Sequence, residues 1–451
     1  MNRNNEHRRP VRLSRERIVD AAFRAWGRTQ FTVTSLNLVA EELSVTKPAV
    51  YRYFNGKDEL LEELCRDYAR RVATELVARL EQADGVFRRS DGNTDTLELA
   101  ASVYVDAVYT LFERNPYHYA FFVRYLLGRP VERHPELLAT IRRHDSLLLQ
   151  LLPSRRALRY TGATAAFWTT EHYRRDPVTG RPISCTVFFP ERLSLNDEAR
   201  TRTIGMTVRR LVHGYLPPDS RSVDLEMVER IAWLTAEEMP VPDRIFTAIE
   251  DVVQEHGYAA ATVERVAERV GITKSSIYHY FRNRDEMLMQ VVLRDQQHFA
   301  SLARIRLQQI EYPEQQLYAL FVMIASYSVQ HSIAMTLENW IRENDITVEI
   351  PQEHIGQMQS LFSFLTDMVM TGRLTADPGE AFSLIGFVRF LIMQELDLLE
   401  KPIERDACIS VTRALFSLFS RGLSGSGALA EETVANKPRR SDLETIQGME
   451  R

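Results

Sequence analysis

The sequence predicts an all-α protein built from two tandem copies of one helical unit. Apolar residues recur at helical spacing along most of the chain, and glycine and proline are few, at 19 and 18 of 451 residues. Hydrophobic residues make up 45% and charged residues 26%, which is ordinary for a globular protein. A segment near the start is repeated near the middle. These observations predict helical domains with cores of their own.

The internal repeat is the strongest signal in the chain. Residues 16–64 and 243–291 align without a gap. The identical pairs include Arg17/Arg244, Ile18/Ile245, Val39/Val266, Ala40/Ala267, Glu41/Glu268, Thr46/Thr273, Lys47/Lys274, Tyr51/Tyr278, Tyr53/Tyr280, Phe54/Phe281, Asp58/Asp285 and Glu59/Glu286. So many matches in one register indicate that one structural unit occurs twice.

Each copy is predicted to form four short helices. In the second copy, Gly257 follows the first helix, and the second helix runs from Thr262 to Gly271. Thr273 is placed to cap the third helix, and Asn283 the fourth. Two short helices joined by a tight turn are typical of helix-turn-helix DNA-binding proteins, whose second helix enters the major groove.

The first copy departs from this pattern at three positions. Gln30 replaces the glycine after the first helix, Ser44 replaces the turn glycine, and Gly56 replaces the capping asparagine. Serine is tolerable in a tight turn and glycine is an acceptable N-cap. The motif is therefore predicted to survive in both copies.

At these residues the sequence resembles the TetR/AcrR family of bacterial regulators. The resemblance lies in TKPAVYRYFNGKDELL and TKSSIYHYFRNRDEML, and covers about a quarter of the chain. It implies a DNA-binding transcriptional regulator, usually a repressor, that binds a double-stranded DNA operator. A small hydrophobic ligand that binds in the helical body is expected to release the protein from that operator. Family members usually carry one such motif and pair as dimers. Two in one chain imply a covalent pseudo-dimer that reads two half-sites, with further homodimerisation left open.

The resemblance also implies which residues contact DNA. Base edges are expected to meet the third helix of each copy, at Thr46, Lys47, Pro48 and Ala49, and at Thr273, Lys274, Ser275 and Ser276. Phosphates are expected at Tyr51, Lys57, Tyr278 and Arg284. Tyr53 and Tyr280 have two open interpretations, phosphate contact or core. The alternative for the third helices is a capped helix that merely faces solvent.

The two copies differ in charge. Residues 1–80 hold 15 Lys and Arg against 11 Asp and Glu, whereas residues 240–300 hold 7 against 9. Because phosphate neutralisation supplies much of DNA affinity, the first copy is predicted to contribute more. The arginine-rich residues 1–13 are interpreted either as an arm along DNA or as a solvated terminus.

The helical bodies carry weaker signals. Met323, Tyr327, His331, Met335 and Trp340 are candidates to line a ligand pocket, although such residues at helical spacing are typical of a core. Residues 156–190 alternate around a proline-glycine turn and predict an inserted β-hairpin, serving as a lid, a partner surface or a brace. Neighbouring side chains on a strand face opposite ways, so Glu171, His172 and Asp176 there are not expected to form a site.

The predicted domains follow from these patterns. They are a basic arm (1–13), a first DNA reader (14–72), a first body (73–238), a second reader (239–298), a second body (299–421) and a disordered tail (422–451). We refer to residues 14–72 and 239–298 as the first and second readers.

Several function classes are not expected. The chain shows no phosphate loop, nucleophile elbow or zinc-protease motif, so neither an enzyme nor a cofactor is predicted. The three cysteines lie far apart, which argues against a metal site and fits a reducing compartment. Neither a signal peptide nor a membrane span is apparent, so a cytoplasmic, nucleoid-associated location is expected. The alternative function is a sensor of the same fold in which only one reader binds DNA.

Overall fold

The computed structural model describes most of both units. The described residues are 13–27, 35–87, 94–121, 156, 157, 160, 161, 164, 197–240, 243–256, 262–331, 352–376, 380, 381 and 383–425. Helices and their connections account for all of these residues, and no strand occurs among them. The predicted all-α fold with two tandem units is confirmed.

The first unit contains seven described helices, numbered here in chain order. They are α1 (Arg15–Gly27), α2 (Leu36–Glu42), α3 (Lys47–Tyr51), α4 (Lys57–Phe87), α5 (Thr94–Arg114), α6 (Pro116–Phe121) and α7 (Asp197–His213). The first three form the reader with the start of α4. The remainder of α4 packs against α5, and α5 packs against α7, which builds the described part of the first body.

The second unit repeats the reader at the positions that the sequence alignment predicts. Two short helices precede the second reader, α8 (Leu225–Ala232) and a 3₁₀ helix (Ala236–Glu238). The described helices of the second reader and its body are α9 (Arg244–His256), α10 (Val263–Val270), α11 (Lys274–Ile277), α12 (Arg284–Leu307), α13 (Pro313–Gln330), α14 (Gln352–Leu361), α15 (Ser363–Met370), α16 (Ser383–Leu396) and α17 (Arg405–Gly425). Helix α13 lies at the centre of the second body and packs against α8, α12, α15, α16 and α17.

Local sequence explains why each reader folds. In α10 the buried residues Val263, Val266, Ala267 and Val270 share one face of the helix, and Gly271 ends it with a φ of 75°. Left-handed backbone costs glycine little because it has no Cβ. In the first reader the same turn position is Ser44, which adopts a φ of 54°. The turn survives the substitution, but in a conformation that serine disfavours.

The two readers attach differently to their bodies. The core of the first reader is continuous with the core of the bodies, and Phe23 of α1 meets Phe121 of α6 edge to face, with 5.2 Å between ring centroids. The second reader has a separate described core, which includes Ile249, Ile277 and Phe281. Within the part of the chain that the structure describes, the second reader is therefore the more independent of the two.

The two units meet where α7 packs against α17. Gly214 follows α7 and Gly422 lies at a kink in α17, with φ values of 79° and 63°. A Cβ on Gly214 would lie 2.3 Å from the carbonyl oxygen of Ser420, and one on Gly422 would lie 2.4 Å from that of Val212. Backbone passes backbone at this crossing, so only glycine fits at both positions.

The segment before the second reader belongs spatially to the second body. Helix α8 packs against α13, and Glu229 accepts hydrogen bonds from Arg413 and from Tyr318. The Leu234 amide donates to the Ser326 hydroxyl at 3.1 Å. Residues 225–238, which the sequence analysis assigned to the end of the first body, therefore pack with the second.

The hairpin expected over residues 156–190 does not begin where the sequence suggested. Arg156, Ala157, Tyr160, Thr161 and Thr164 are helical, and Arg156 forms an ion pair of 3.1 Å with Glu395 of the second body. The first part of the predicted segment is therefore helical. Residues 165–196, with Glu171, His172 and Asp176, lie outside the described residues, as do residues 1–12 and the tail from 426 onward.

Candidate nucleic-acid interface

The start of the third helix is at the surface in both readers. Thr46, Lys47 and Pro48 are exposed and Ala49 is half-buried. In the second reader Thr273, Lys274 and Ser275 are exposed and Ser276 is half-buried. Tyr51 and Tyr278, one turn further, are 42% and 41% exposed, whereas Phe54 and Phe281 are buried. The structure therefore brings the predicted hydroxyl, ammonium and phenol groups of each reader together on one accessible surface.

The hydroxyls at the start of the two third helices are used differently. The Thr273 Oγ1 accepts a hydrogen bond from the Ser276 amide at 3.1 Å and lies 2.8 Å from the Ser276 Oγ. This is an N-cap, which satisfies one of the free amides at a helix start. Thr46 makes no side-chain cap. The hydroxyl of Thr273 is therefore committed to its own helix, and that of Thr46 is not used for capping.

Tyr53 and Tyr280 resolve into two different environments. The Tyr53 hydroxyl donates to the backbone carbonyl of Leu13 at 2.8 Å, and the ring is half-buried. Tyr280 is 58% exposed. Tyr53 thus ties the third helix to the segment before α1, whereas the ring of Tyr280 is accessible from solvent.

The fourth helix of each reader begins close to the predicted cations. Lys57 is the first residue of α4 and Arg284 the first of α12, and both are half-buried. Burial lowers the pKa of Lys57, against the effect of Asp58, which raises it. The Asn283 side chain caps α12 by accepting from the Glu286 amide at 2.8 Å. Positive ends of helices at these two positions favour phosphate.

The second reader contains a contact that the sequence analysis missed. Glu264 on α10 forms an ion pair of 2.7 Å with the Lys274 Nζ and accepts a hydrogen bond of 3.2 Å from the Tyr278 hydroxyl. The hydrogen bond from Lys274 lowers the pKa of Glu264 to about 2. The matching position in the first reader is Asn37, which carries no charge. This mismatch was the one signal in the aligned repeats that would have revealed the contact.

Comparison with known proteins identifies the repeated unit. The profile of bacterial regulatory proteins of the tetR family matches residues 18–64 and 245–291. Both copies of the repeat therefore match the same family model. These two segments coincide with α1 to α4 and with α9 to α12 of the structure.

Curated relatives match over a short region. The HTH-type transcriptional regulators UidR of Escherichia coli K12 and of Shigella flexneri are each 26% identical over 73 residues, which is 16% of this chain and 36% of theirs. The chain thus spans about a third of the length of the curated relatives it matches.

Solved structures are similar at low identity. The fatty acid degradation regulator FadR from Bacillus halodurans is 19% identical with a TM-score of 0.33, covering 41% of this chain and 96% of that one. FadR from Bacillus subtilis, solved with stearoyl-CoA, is 16% identical with a TM-score of 0.31, covering 40% and 98%.

A buried histidine lies where the first reader meets its body. The His118 ring stacks on Phe23 at 4.2 Å, and its Nε2 is 3.9 Å from Asp67, beyond hydrogen-bonding distance. Neither ring nitrogen has a hydrogen-bond partner among the described residues, and the nearest charged group is the Asp67 carboxylate. Burial lowers the pKa of His118. Burial alone would raise the pKa of Asp67, but His118, Arg71 and Arg70 hold it well below its usual range.

Two of the five residues expected to line a ligand pocket in the second body are buried, and a third is half-buried. Met323 and Tyr327 are buried, and the Tyr327 hydroxyl donates to Asp295, which also pairs with His331 at 3.2 Å. Burial fits the core interpretation of Met323 and Tyr327, and the pocket interpretation stays a prediction. Met335 and Trp340 lie outside the described residues.

A cavity of 1210 Å³ lies in the first body, between α4, α5 and α7. Its wall combines the apolar Val103, Ile204 and Val208 with charged groups that include Arg209 and His213. The Asp106 carboxylate in this wall pairs with Arg79 of α4 and, at 2.7 Å, with Arg200 of α7. The cavity thus adjoins an ion-pair network that joins three helices, one of which begins in the first reader.

Neither a cluster of metal ligands nor a membrane-spanning helix occurs among the described residues. Among them, no group of three or more His, Cys, Asp or Glu is placed to hold a metal ion. None of the described helices is long and apolar enough to cross a bilayer.

Proposed function

We propose that this protein is a sequence-specific DNA-binding transcriptional regulator, a repressor, in which one chain carries both halves of a TetR-type dimer. The observation that carries the proposal is the matched surface of the two readers. Each presents an exposed Thr-Lys pair at the start of the third helix and an exposed tyrosine one turn later. Hydroxyl and ammonium groups at a helix start suit base edges and phosphates.

The packing between the units supports a covalent pseudo-dimer. The last described helix of the first body, α7, lies against the last helix of the second, α17. Three hydrogen bonds cross the joint, from the Tyr215 amide to Phe419, from the Leu216 amide to Ser420, and from the Ser424 hydroxyl to Val212. Body-to-body pairing of this kind would hold two readers at a fixed separation, as a two-fold dimer holds its half-site readers.

The cavity of the first body supports release by a small molecule. Its charged and apolar wall suits an amphipathic ligand better than the purely hydrophobic one that the sequence suggested. A ligand that competes for Arg79 or Asp106 would loosen α4 from α5 and α7, and α4 begins at Lys57 in the first reader. Binding would then favour a different arrangement of the readers. A DNA-bound role would place the protein in the cytoplasm, at the nucleoid.

The test is binding to the DNA upstream of the protein's own gene, by gel shift and by a promoter reporter. Two double variants, Lys47→Ala with Tyr51→Ala and Lys274→Ala with Tyr278→Ala, remove the paired groups of one reader at a time. If both readers act, each double variant weakens binding and raises reporter expression. Arg304→Ala removes an exposed cation from the part of α12 that lies in the second body, outside both readers, and serves as the control.

The second candidate function is a TetR-fold protein in which only one reader binds DNA. The contact of Glu264 with Lys274 favours it, because the cation of the second reader already has a carboxylate partner. In that case the Lys274→Ala, Tyr278→Ala variant binds as the unmodified chain does. Absence of binding by the unmodified chain to any duplex, even at low salt, would contradict both functions.

A further inference from the structure

The second reader differs from the first by one carboxylate placed on its DNA-facing groups. Glu264 is the second residue of α10, in a reader whose candidate DNA-contacting residues include Lys274 and Tyr278. One of its oxygens is 2.7 Å from the Lys274 Nζ and 3.2 Å from the Tyr278 hydroxyl. A single carboxylate oxygen therefore contacts both groups.

The first reader has the same groups without the carboxylate. Lys47 and Tyr51 match Lys274 and Tyr278 in the repeat, and in each reader the ammonium lies near the tyrosine ring, at 5.5 and 5.9 Å from its centroid. The residue that matches Glu264 is Asn37, which is exposed on α2. The two surfaces thus share their cation and phenol and differ in one negative charge.

We propose that Glu264 makes the second reader bind DNA more weakly than the first, because Glu264 competes with the DNA backbone for Lys274 and Tyr278. This inference rests on the proposed function and adds the residue that sets its asymmetry.

The physical reason has two parts. Lys274 and Tyr278 must leave Glu264 before they can meet a phosphate, and the freed carboxylate then lies close to that phosphate and repels it. An exposed ion pair is a weak interaction, so it lowers the affinity of the second reader for DNA without abolishing binding. Fewer phosphates are neutralised, and fewer counterions are released on binding.

Other acidic groups of the second reader act elsewhere. Arg269 pairs with Glu255 and, at 3.4 Å, with Asp251, on the side of α10 that faces α9. Glu268, one turn beyond Glu264 on the same helix, is exposed. Glu268→Asn therefore removes the same charge from the same helix, and it provides a matched control for Glu264→Asn.

The experiment uses the full chain and a mixed-sequence 30-base-pair duplex, with binding followed by fluorescence anisotropy at several salt concentrations. The first reader is disabled by Lys47→Ala and Tyr51→Ala, and Glu264→Asn or Glu268→Asn is added. We expect E264N to tighten binding several-fold and to steepen the dependence of log K on log salt by about one. E268N should change both by much less.

A reciprocal variant in the first reader tests the same inference with a different substitution. In a chain whose second reader is disabled by Lys274→Ala and Tyr278→Ala, Asn37→Glu should weaken binding several-fold and flatten the salt dependence. Circular dichroism confirms that each variant is folded.

Three outcomes would overturn the inference. E264N could bind no more tightly than E268N, which would mean that Glu264 affects DNA binding no more than another carboxylate of the same helix does. E264N could bind more weakly, which would make the carboxylate a direct contact, for instance as an acceptor for a cytosine amine. If the unmodified chain bound no duplex, the proposed function itself would be wrong. Measuring the unmodified chain first distinguishes this outcome from the other two.

Discussion

A methyl group added at the glycine crossing should separate the two units. Gly214→Ala places a Cβ 2.3 Å from the carbonyl oxygen of Ser420, a distance at which one backbone must move. The left-handed backbone adds roughly 1–2 kcal/mol. Movement also strains three hydrogen bonds across the joint, each with a net value of about 1 kcal/mol. We expect a loss of about 4 kcal/mol in the free energy of unfolding, a large part of a typical domain's stability.

A matched control separates strain from contact. Gly372 has a φ of 72°, and a Cβ there would meet nothing within 4 Å. Gly372→Ala should therefore cost only the roughly 1–2 kcal/mol of the left-handed backbone. Urea unfolding measures the stability of each variant, and limited proteolysis reports whether the units separate. Equal losses in Gly214→Ala and Gly372→Ala would refute the close crossing of the units.

Three further predictions concern the readers and the joint of the first reader with its body. Ser44→Gly should stabilise the chain by about 0.5–1 kcal/mol in urea unfolding, and Gly271→Ser should destabilise it by a similar amount, because each position needs left-handed backbone. Thr273→Ala should cost about 1 kcal/mol by loss of its N-cap, and Thr46→Ala almost nothing; equal effects would refute the difference in capping. Stability should fall as pH drops below about 6.5, because burial lowers the pKa of His118 and the unfolded chain binds the proton first, with a slope of at most about 1.4 kcal/mol per pH unit. His118→Phe should make that slope shallower, and an unchanged slope between pH 7 and 5 would contradict the assignment.

The helices of the readers were predictable because their signals are local. The apolar face of α10, the Thr262 and Thr273 caps and the Gly271 turn all lie within a few residues of the helices they shape. Sequence therefore predicted the starts of α10, α11 and α12 and, through the repeat, those of α2, α3 and α4. The turn at Ser44 is retained because the energetic cost of one residue in left-handed backbone is small relative to the packing energy of the surrounding reader.

Features that depend on distant residues were not predictable in this way. Gly214 and Gly422 are far apart in sequence, and nothing local indicates that their backbones cross. The packing of α8 on the second body depends on Glu229 reaching Arg413. Met323 and Tyr327 had the spacing of either a pocket or a core, and only the surrounding helices decide between the two. The helical residues at the start of the 156–190 segment include Arg156, which pairs with Glu395 of the other unit, a contact that the local pattern does not indicate.

The candidate site was predictable by residue and less so by environment. The Thr-Lys pairs and tyrosines were identified from the repeat, and the structure places them at the surface. Their neighbours were not, because the contact of Glu264 with Lys274 spans two helices. A comparison of the two copies for differences, position by position, would have identified Glu264 against Asn37.

The measurement that tests the central claim most directly is the stoichiometry of the DNA complex together with its footprint. The protein is bound to the fragment upstream of its own gene, the mass of the complex is measured by analytical ultracentrifugation, and the protected bases are mapped. The pseudo-dimer predicts one chain per fragment and protection in two successive major grooves. Two chains per fragment, with each chain protecting a single groove, would contradict it.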